Sequence, residues 1–364
     1  MKIYLVTRSL SGVVGGVERQ LGKIALRLSE SQNEVSILSS DREKPKVFYP
    51  LLENFPLITY GDNIASSDSV NLQRVKRQAN IWNLIRREKP DLIISFMMSG
   101  FIVALPTAIV TRTPIVLAER NSPDVYSLTR AKKLKPLYFL IMRASAVITV
   151  QLDTYVKRYP KYLRKRIKVI YNEIEIIPQN SNDKAESRPF TFGFVGRFSH
   201  QKQPIRLLES FARHISKGNV SRIIFFGNGD LEPKMKDRIF ELNIQDYVTI
   251  RGPVQDLNKV YGAIDCLCLP SLWEGFPNVV GEAMMYGIPV LGSIGCAGLS
   301  DLLANDVGLL VDFENTNNDP FVDLIEFVDG SENLTARIQN QIKSFQELNF
   351  TQLWKEVVVD ATSK

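Results

Sequence analysis

Short apolar runs alternate along the chain with longer amphipathic segments. In the first half KIYLV (2–6), EVSILS (34–39), DLIISF (91–96), PIVLAE (114–119) and AVITV (146–150) read as strands. VERQLGKIALRLSE (17–30) and VKRQANIWNLIRRE (75–88) repeat apolar positions every three or four residues and read as helices. The second half keeps the rhythm. Strands are expected at FTFGFVG (190–196), RIIFFG (222–227), YVTIRG (247–252), DCLCLP (265–270), IPVLGS (288–293) and GLLVDF (308–313). Helices are expected at 204–216, 231–243, 257–264 and 278–287. Strands that alternate with helices predict parallel sheets covered on both faces, so the fold class is α/β, doubly wound.

One stretch admits two readings. Residues 92–110 carry no charge and are long enough to span a bilayer. Ser95, Ser99, Gly100 and Pro106 interrupt the run, and PIVLAE follows directly. We read it as strand LIISF, a turn at MMSG and a core helix ending near Thr111, because the strand–helix alternation continues on both sides. The opening MKIYLV is strand-like and gives way to Thr7, Arg8 and Ser9, so it does not read as a secretory signal.

A chain of 364 residues is longer than one ordinary domain. Between the halves, residues 177–189 are polar, rich in Asn, Ser and Pro, and without apolar period; they read as a linker. The expected organisation is a domain over 1–176, the linker, a domain over 190–345 and a C-terminal helical segment, 346–364, packing back on the first domain. With 45% hydrophobic and 23% charged residues, composition excludes disordered and fibrous classes. Cys266 and Cys268 lie in an apolar run and, with Cys296, form no disulfide framework, which fits a reduced cytoplasmic compartment. Two histidines, His200 and His214, give little support to a zinc site or a Ser-His-Asp triad.

Charge divides the halves more sharply. Residues 1–180 hold 28 Lys+Arg against 15 Asp+Glu, a balance of +13; the remainder is −7. Residues 124–168 alone hold 12 basic and 2 acidic residues, interleaved with Tyr126, Leu134, Leu137, Tyr138 and Phe139. A solvated face explains most charge runs, but an asymmetry this large points to an anionic partner. Lipid headgroups attract such segments by about 1 kcal/mol per basic residue. No nucleic-acid-binding signature accompanies the charge, so a membrane surface is expected rather than nucleic acid.

Three stretches carry candidate chemistry. In SLWEGFPNVVGEAM, Glu274 follows a buried strand and Glu282 lies about five residues into a helix whose first turn is expected to hold Pro277. Ligands of open α/β sheets bind at the carboxyl ends of strands. The amides near Gly275, Phe276, Asn278 and Val279 then make an anion or hydroxyl site at the helix start. In FGFVGRFSHQKQP, the strand turns at Gly196, and Arg197 and Lys202 precede a helix; two cations there can clamp a diphosphate without a metal. In SLSGVVGGVERQ, Gly15 and Gly16 either form a plain turn or bring amides close to a phosphate or sugar. The pattern is not the dinucleotide fingerprint GxGxxG. Three further strand ends supply Asn228, Arg251, and the pair Arg120 and Asn121 as candidates.

Taken in order, GGVE, VGRFSHQK, GNGDLE, RGPV, DCLCLPSLWEGFPNVVGEAM and GIPVLGS resemble the family 4 glycosyltransferases of the GT-B fold. The resemblance implies two Rossmann-like domains facing a cleft, with a nucleotide sugar held mainly by the second and the acceptor by the first. It implies that Arg197 and Lys202 hold the diphosphate, Glu282 the ribose and Glu274 the donor sugar, with assistance from Phe276 to Val279 and Gly16. Retention of anomeric configuration follows from the same resemblance. So does a UDP-sugar as substrate rather than a resident cofactor. Without an Asp-x-Asp motif, metal independence is expected. Many members carry His where this sequence has Arg120, and Asn-Gly where it has Asn172-Glu173.

The leading expectation is a peripheral enzyme on the inner face of the cytoplasmic membrane. It would build surface polysaccharide or glycolipid on a polyprenyl-diphosphate-linked acceptor. The alternatives are a transferase for a soluble acceptor, a nucleotide-sugar epimerase and a non-catalytic nucleotide-sugar-binding protein. Liposome sedimentation that is lost at high salt would separate the first two. Glu274→Ala and Lys202→Ala are each expected to abolish transfer and leave folding intact.

Overall fold

The computed structural model describes residues 1–12, 15–62, 64–65, 67–174, 188–254, 256–304, 306–346 and 349–363. Most of the expected linker, residues 177–187, lies outside the described residues. Two compact units emerge: Met1–Glu173 with Asn349–Lys364, and Ile174–Leu348.

The first unit is built on seven parallel strands: β1 (Lys2–Val6), β2 (Glu34–Ser39), β3 (Leu57–Thr59), β4 (Leu92–Phe96), β5 (Ile115–Ala118), β6 (Val147–Val150) and β7 (Ile167–Val169). Their spatial order is β3-β2-β1-β4-β5-β6-β7. Ile3, Leu5, Ile37, Leu92, Ile94, Val116 and Ala118 fill its core, together with Phe350, Trp354 and Val357 of the helix Phe350–Thr362. The expected C-terminal segment is the helix Phe350–Thr362 in the first unit, and the helix before it, Leu334–Gln346, belongs to the second.

The second unit has six parallel strands: β8 (Phe190–Val195), β9 (Ser221–Phe226), β10 (Val248–Arg251), β11 (Cys266–Leu269), β12 (Val290–Ser293) and β13 (Gly308–Val311), in the order β10-β9-β8-β11-β12-β13. Its core is markedly aromatic, with Phe192, Phe194, Phe198, Phe211, Phe225, Phe313 and Phe321 buried. Cys266 and Cys268 are buried in β11.

The uncharged stretch after Leu92 is strand and helix, with one difference from expectation. MMSG is not a turn: the helix Met97–Thr111 begins directly after β4, and Met97 takes a left-handed φ of 61° to make the corner. Among the described residues no helix is long and apolar enough to cross a membrane.

An ordered Ser, His and Asp do meet, against expectation, but in the core of the second unit. His214 Nδ1 faces Asp319 Oδ1 at 3.1 Å, and Nε2 faces Ser221 Oγ at 3.1 Å. All three side chains have structural tasks. Asp319 caps the helix Pro320–Asp329 by accepting from Phe321 N and Val322 N, and Ser221 opens β9. His214 closes the helix Pro204–Ser216. Ser221 is buried, so its hydroxyl offers no surface to a substrate.

Burial holds the His214 pKa below its ordinary 6.5, against the opposing pull of Asp319; Lys217, 3.7 Å from Asp319, acts with burial. The folded state therefore binds this proton less readily than the unfolded chain. The contribution to stability is fully present above about pH 6.5 and is lost as pH falls toward the folded value. We expect unfolding free energy, measured by urea titration, to fall between pH 7.5 and 5.5, and His214→Gln to reduce that fall. An equal fall in both proteins would contradict the assignment.

Candidate functional site

In the second unit the strand succession reverses between β8 and β11, which lie side by side while their chain neighbours run outward in opposite directions. Open α/β sheets offer a ligand crevice at such a reversal, beyond the carboxyl ends of the strands. The segments after β8 and β11 are the two that carry Arg197, Lys202 and Glu274.

Local backbone geometry builds the β8 side. Gly196 turns the chain with φ 153° and donates its N–H to Phe226 O at 2.9 Å. Phe198 N donates to Asn228 O at 2.8 Å, and Leu231 N donates to Phe198 O at 3.1 Å. This backbone-to-backbone approach needs Gly227: a Cβ there would lie 2.0 Å from Gly196 O. Asn228 thus contributes its carbonyl to the support of the turn, while its side chain is exposed. Arg251 likewise accepts from Gly227 N at 3.0 Å and sets its guanidinium 5.8 Å from the Phe226 ring. Arg197 is exposed on the turn.

Lys202 reaches the β11 side. Its Nζ lies 2.6 Å from Glu274 Oε1, with the side chains 18% and 7% exposed. Two further bonds lock the same loops: Gln201 Nε2 donates to Trp273 O at 2.8 Å, and Leu272 N donates to Gln201 O at 2.9 Å. An ion pair this little exposed holds both side chains in place at the strand ends.

Beyond Glu274, residues Gly275, Phe276 and Pro277 are buried, and the helix Asn278–Met285 follows. Pro277 is its N-cap, one position earlier than expected; its carbonyl accepts from Val280 N at 2.8 Å. The amides of Asn278 and Val279 therefore lie ahead of the intrahelical ladder, where a helix presents its positive end. Glu282, the fifth residue of the helix, is buried and accepts from Tyr261 Oη at 2.8 Å. The two acids thus have separate partners. Gln201 and Tyr261 were not singled out from sequence. Gln201 adjoins Lys202, a usable signal; a tyrosine in the apolar LNKVYGAI gives none.

The remaining candidates sit in the first unit. Gly15 caps, and Gly16 begins, the helix Gly16–Glu30. The loop before them is held by Asp41, which accepts from Leu10 N at 2.8 Å and from Ser9 Oγ. Arg120 differs from expectation. Rather than extending from its strand end, its guanidinium is buried 5.8 Å from the Phe96 ring and 5.5 Å from the Trp354 ring. Nη1 donates to Asn172 Oδ1 at 3.2 Å. Burial pushes its pKa down to about 10, opposed by Glu119. Asn121 is only half-buried.

Comparison with known proteins identifies the family. A family model described as Glycosyltransferase Family 4 matches residues 14–176, and one described as Glycosyl transferases group 1 matches residues 176–345. The chain is a family 4 glycosyltransferase. Among similar proteins is an uncharacterised glycosyltransferase of Methanocaldococcus jannaschii, 28% identical over 256 residues, 65% of this chain and 63% of that protein. Another is the Campylobacter jejuni GalNAc-alpha-(1->4)-GalNAc-alpha-(1->3)-diNAcBac-PP-undecaprenol alpha-1,4-N-acetyl-D-galactosaminyltransferase, 25% identical over 375 residues and 99% of each chain. The chain spans just under two thirds of the first relative's length and nearly all of the second's. Among solved structures, Anabaena HepE in complex with UDP-glucose superimposes with a TM-score of 0.78 at 18% identity, covering 98% of this chain and 99% of that one. At that identity the likeness is one of fold, and the fold is GT-B: two parallel-sheet α/β domains.

The glycosyltransferase's second unit yields a stability test. Gly227→Ala combines a positive φ with a contact inside the backbone, and is expected to cost at least about 2–3 kcal/mol. Gly252, where a Cβ would meet nothing within 4 Å, serves as control. Gly252→Ala is expected to stay within about 1 kcal/mol of the parent in urea denaturation.

Proposed function

We propose that this family 4 enzyme moves a sugar, with retention of configuration and without a metal, from a UDP-sugar to a membrane-associated acceptor. The acceptor class is a polyprenyl-diphosphate-linked glycan of bacterial surface polysaccharide or glycolipid assembly. The observation that carries the reading is the Lys202–Glu274 pair at the strand reversal of the second unit. The full-length relative's name, which specifies a diphospho-undecaprenol-linked glycan, favours the acceptor class. The UDP-glucose complex of a protein with this fold favours the donor.

In this mechanism Lys202 and Glu274 satisfy each other until donor arrives. Lys202 and Arg197 then meet the diphosphate, with help from the Phe276–Val279 segment, while Gly196, Asn228 and Arg251 shape the support behind it. Glu274 turns to the sugar hydroxyls and Glu282, oriented by Tyr261, to the ribose. In the first unit Gly15 and Gly16 are the candidates for a phosphate or sugar contact, and Asn121 is the acceptor-side candidate with Arg120 as its buried neighbour. As the bond from C1 to the diphosphate oxygen breaks, negative charge grows on the leaving group. The fixed cations and helix start stabilise that charge more than the ground state. The acceptor oxygen bonds to C1 on the same face, and its proton passes to the leaving phosphate. The cationic segment 124–168 holds the enzyme against anionic lipid at the inner face of the cytoplasmic membrane.

The structure also refines which substitutions test this. Lys202→Ala strands a buried carboxylate, so it is expected to destabilise the second unit by about 3–5 kcal/mol, not to leave folding intact. Glu274→Gln preserves shape. It keeps an oxygen for Lys202 but not the charge, so it is expected to lower transfer by about 10²-fold or more, with a smaller loss of stability than Lys202→Ala. Wild-type transfer of radiolabelled sugar by Glu274→Gln would refute the site. A thermal-shift comparison of UDP- and GDP-sugars tests the donor, since a ligand that prefers the native state raises its melting temperature. NMR of the product's anomeric proton tests retention.

A further inference from the structure

The strand succession of the first unit also reverses. β1 and β4 lie side by side, with β2 and β3 outward on one flank and β5, β6 and β7 on the other. The loop that leaves β1 at Thr7 therefore starts where this sheet offers a ligand crevice of its own. It leads to Gly15 and Gly16, the N-cap and first residue of the helix Gly16–Glu30. Ser11 and Gly12 are exposed, yet the stem of the loop is tied at nearly every residue. Thr7 N donates to Leu38 O at 2.9 Å, and Thr7 O accepts from Tyr60 Oη at 2.7 Å. Ser9 Oγ, Leu10 N at 2.8 Å and Ser11 N at 3.4 Å all donate to the carboxylate of Asp41.

Asp41 lies two residues beyond β2, is 7% exposed and is itself held from behind. Gly61 N donates to Asp41 O at 3.1 Å, and Tyr60 N donates to Ser39 O at 2.9 Å. A Cβ on Gly61 would lie 2.3 Å from Asp41 O, so only glycine lets the segment after β3 press this close. Asn80 Nδ2, from the helix Val70–Glu88, donates to Tyr60 O at 3.2 Å. Burial raises the Asp41 pKa, but the bonds from Leu10 and Ser9 outweigh it and hold the carboxyl below its ordinary value. The group therefore stays an ionised acceptor. An anion that enters a loop of this kind is met by free N–H groups. Those of Leu10 and Ser11 are committed to Asp41, which fills the first half of the loop as a built-in anion. A ligand is left with the glycine end.

We propose that Asp41 is a positioning residue for sugar transfer: by occupying the stem of the loop it fixes where Gly15 and Gly16 meet the donor, without touching substrate itself. This role rests on the reading of Gly15 and Gly16 as phosphate or sugar contacts, and Asp41 acts only through the loop.

The test compares Asp41→Asn with wild type in the full chain. The substitution keeps the shape but turns one acceptor into a donor that faces the donors of the loop. KM for the UDP-sugar is expected to rise about tenfold, with kcat changed less and KM for the acceptor unchanged. Asp319→Ala, which removes a helix cap in the second unit, is the destabilised control: it is expected to lower the melting temperature without moving the donor KM. Hydrogen exchange, read by mass spectrometry on peptides spanning residues 7–16, follows the loop without any transfer. Exchange there is expected to quicken about tenfold or more in Asp41→Asn, and UDP to slow it in wild type but not in the variant. Three results would overturn the proposal: a donor KM that stays at the wild-type value while the melting temperature falls, loop exchange that is the same in both proteins, or UDP protection in the second unit with none at the loop. A wild type that neither transfers sugar nor gains protection from UDP anywhere would refute the donor reading, and this role with it. The two failures are told apart in the second unit, which UDP protects only if the donor reading holds.

Discussion

Parallel strands must be joined by crossovers, and when a chain winds outward in both directions from a central pair, that pair is left with no crossover between its ends. In the second unit the pair is β8 and β11. Two loops far apart in sequence are delivered to one spot, and each brings a group that could not be buried alone. The Lys202 ammonium and the Glu274 carboxylate meet across 72 positions. Because neither can be removed without stranding the other, the pair stabilises the loop geometry. The glycine-permitted contact between the 196–198 and 227–229 turns keeps the cation side rigid enough for this.

How much of this was legible in the sequence depends on distance along the chain. All six strands of the second unit stand out as apolar runs because each is central or carries at least four strand residues. In the first unit β3 and β7 did not stand out. They are the two edge strands, three residues each and only half-buried, so they lack an apolar run. The GFPN turn, both acids and both cations were legible as residue types at strand ends. Their pairing was not, since no local pattern says that Lys202 chooses Glu274 or that Tyr261 chooses Glu282.

Several chemistry-bearing side chains in this protein serve the fold. His214, Ser221 and Asp319 have the composition of a catalytic triad and serve to fasten a helix end, a strand start and a helix cap. Arg120 occupies a strand end where a substrate contact was expected, yet it lies between two aromatic rings and reaches Asn172. By contrast Arg197 is exposed at the strand reversal, and Asn228 is exposed on the adjoining turn after β9. Identity of residue type is therefore a weak guide here without the accessibility of the atom that would react.

The helix Phe350–Thr362 completes the core of the unit that starts at Met1, burying Trp354 and Val357 against strands laid down long before. During synthesis on the ribosome, the entire second unit emerges before that helix does. The first unit must wait with an open flank while its younger neighbour already has all its residues. Vectorial translation thus imposes an order of maturation opposite to the order of the chain, and leaves the N-terminal sheet unfinished for the interval.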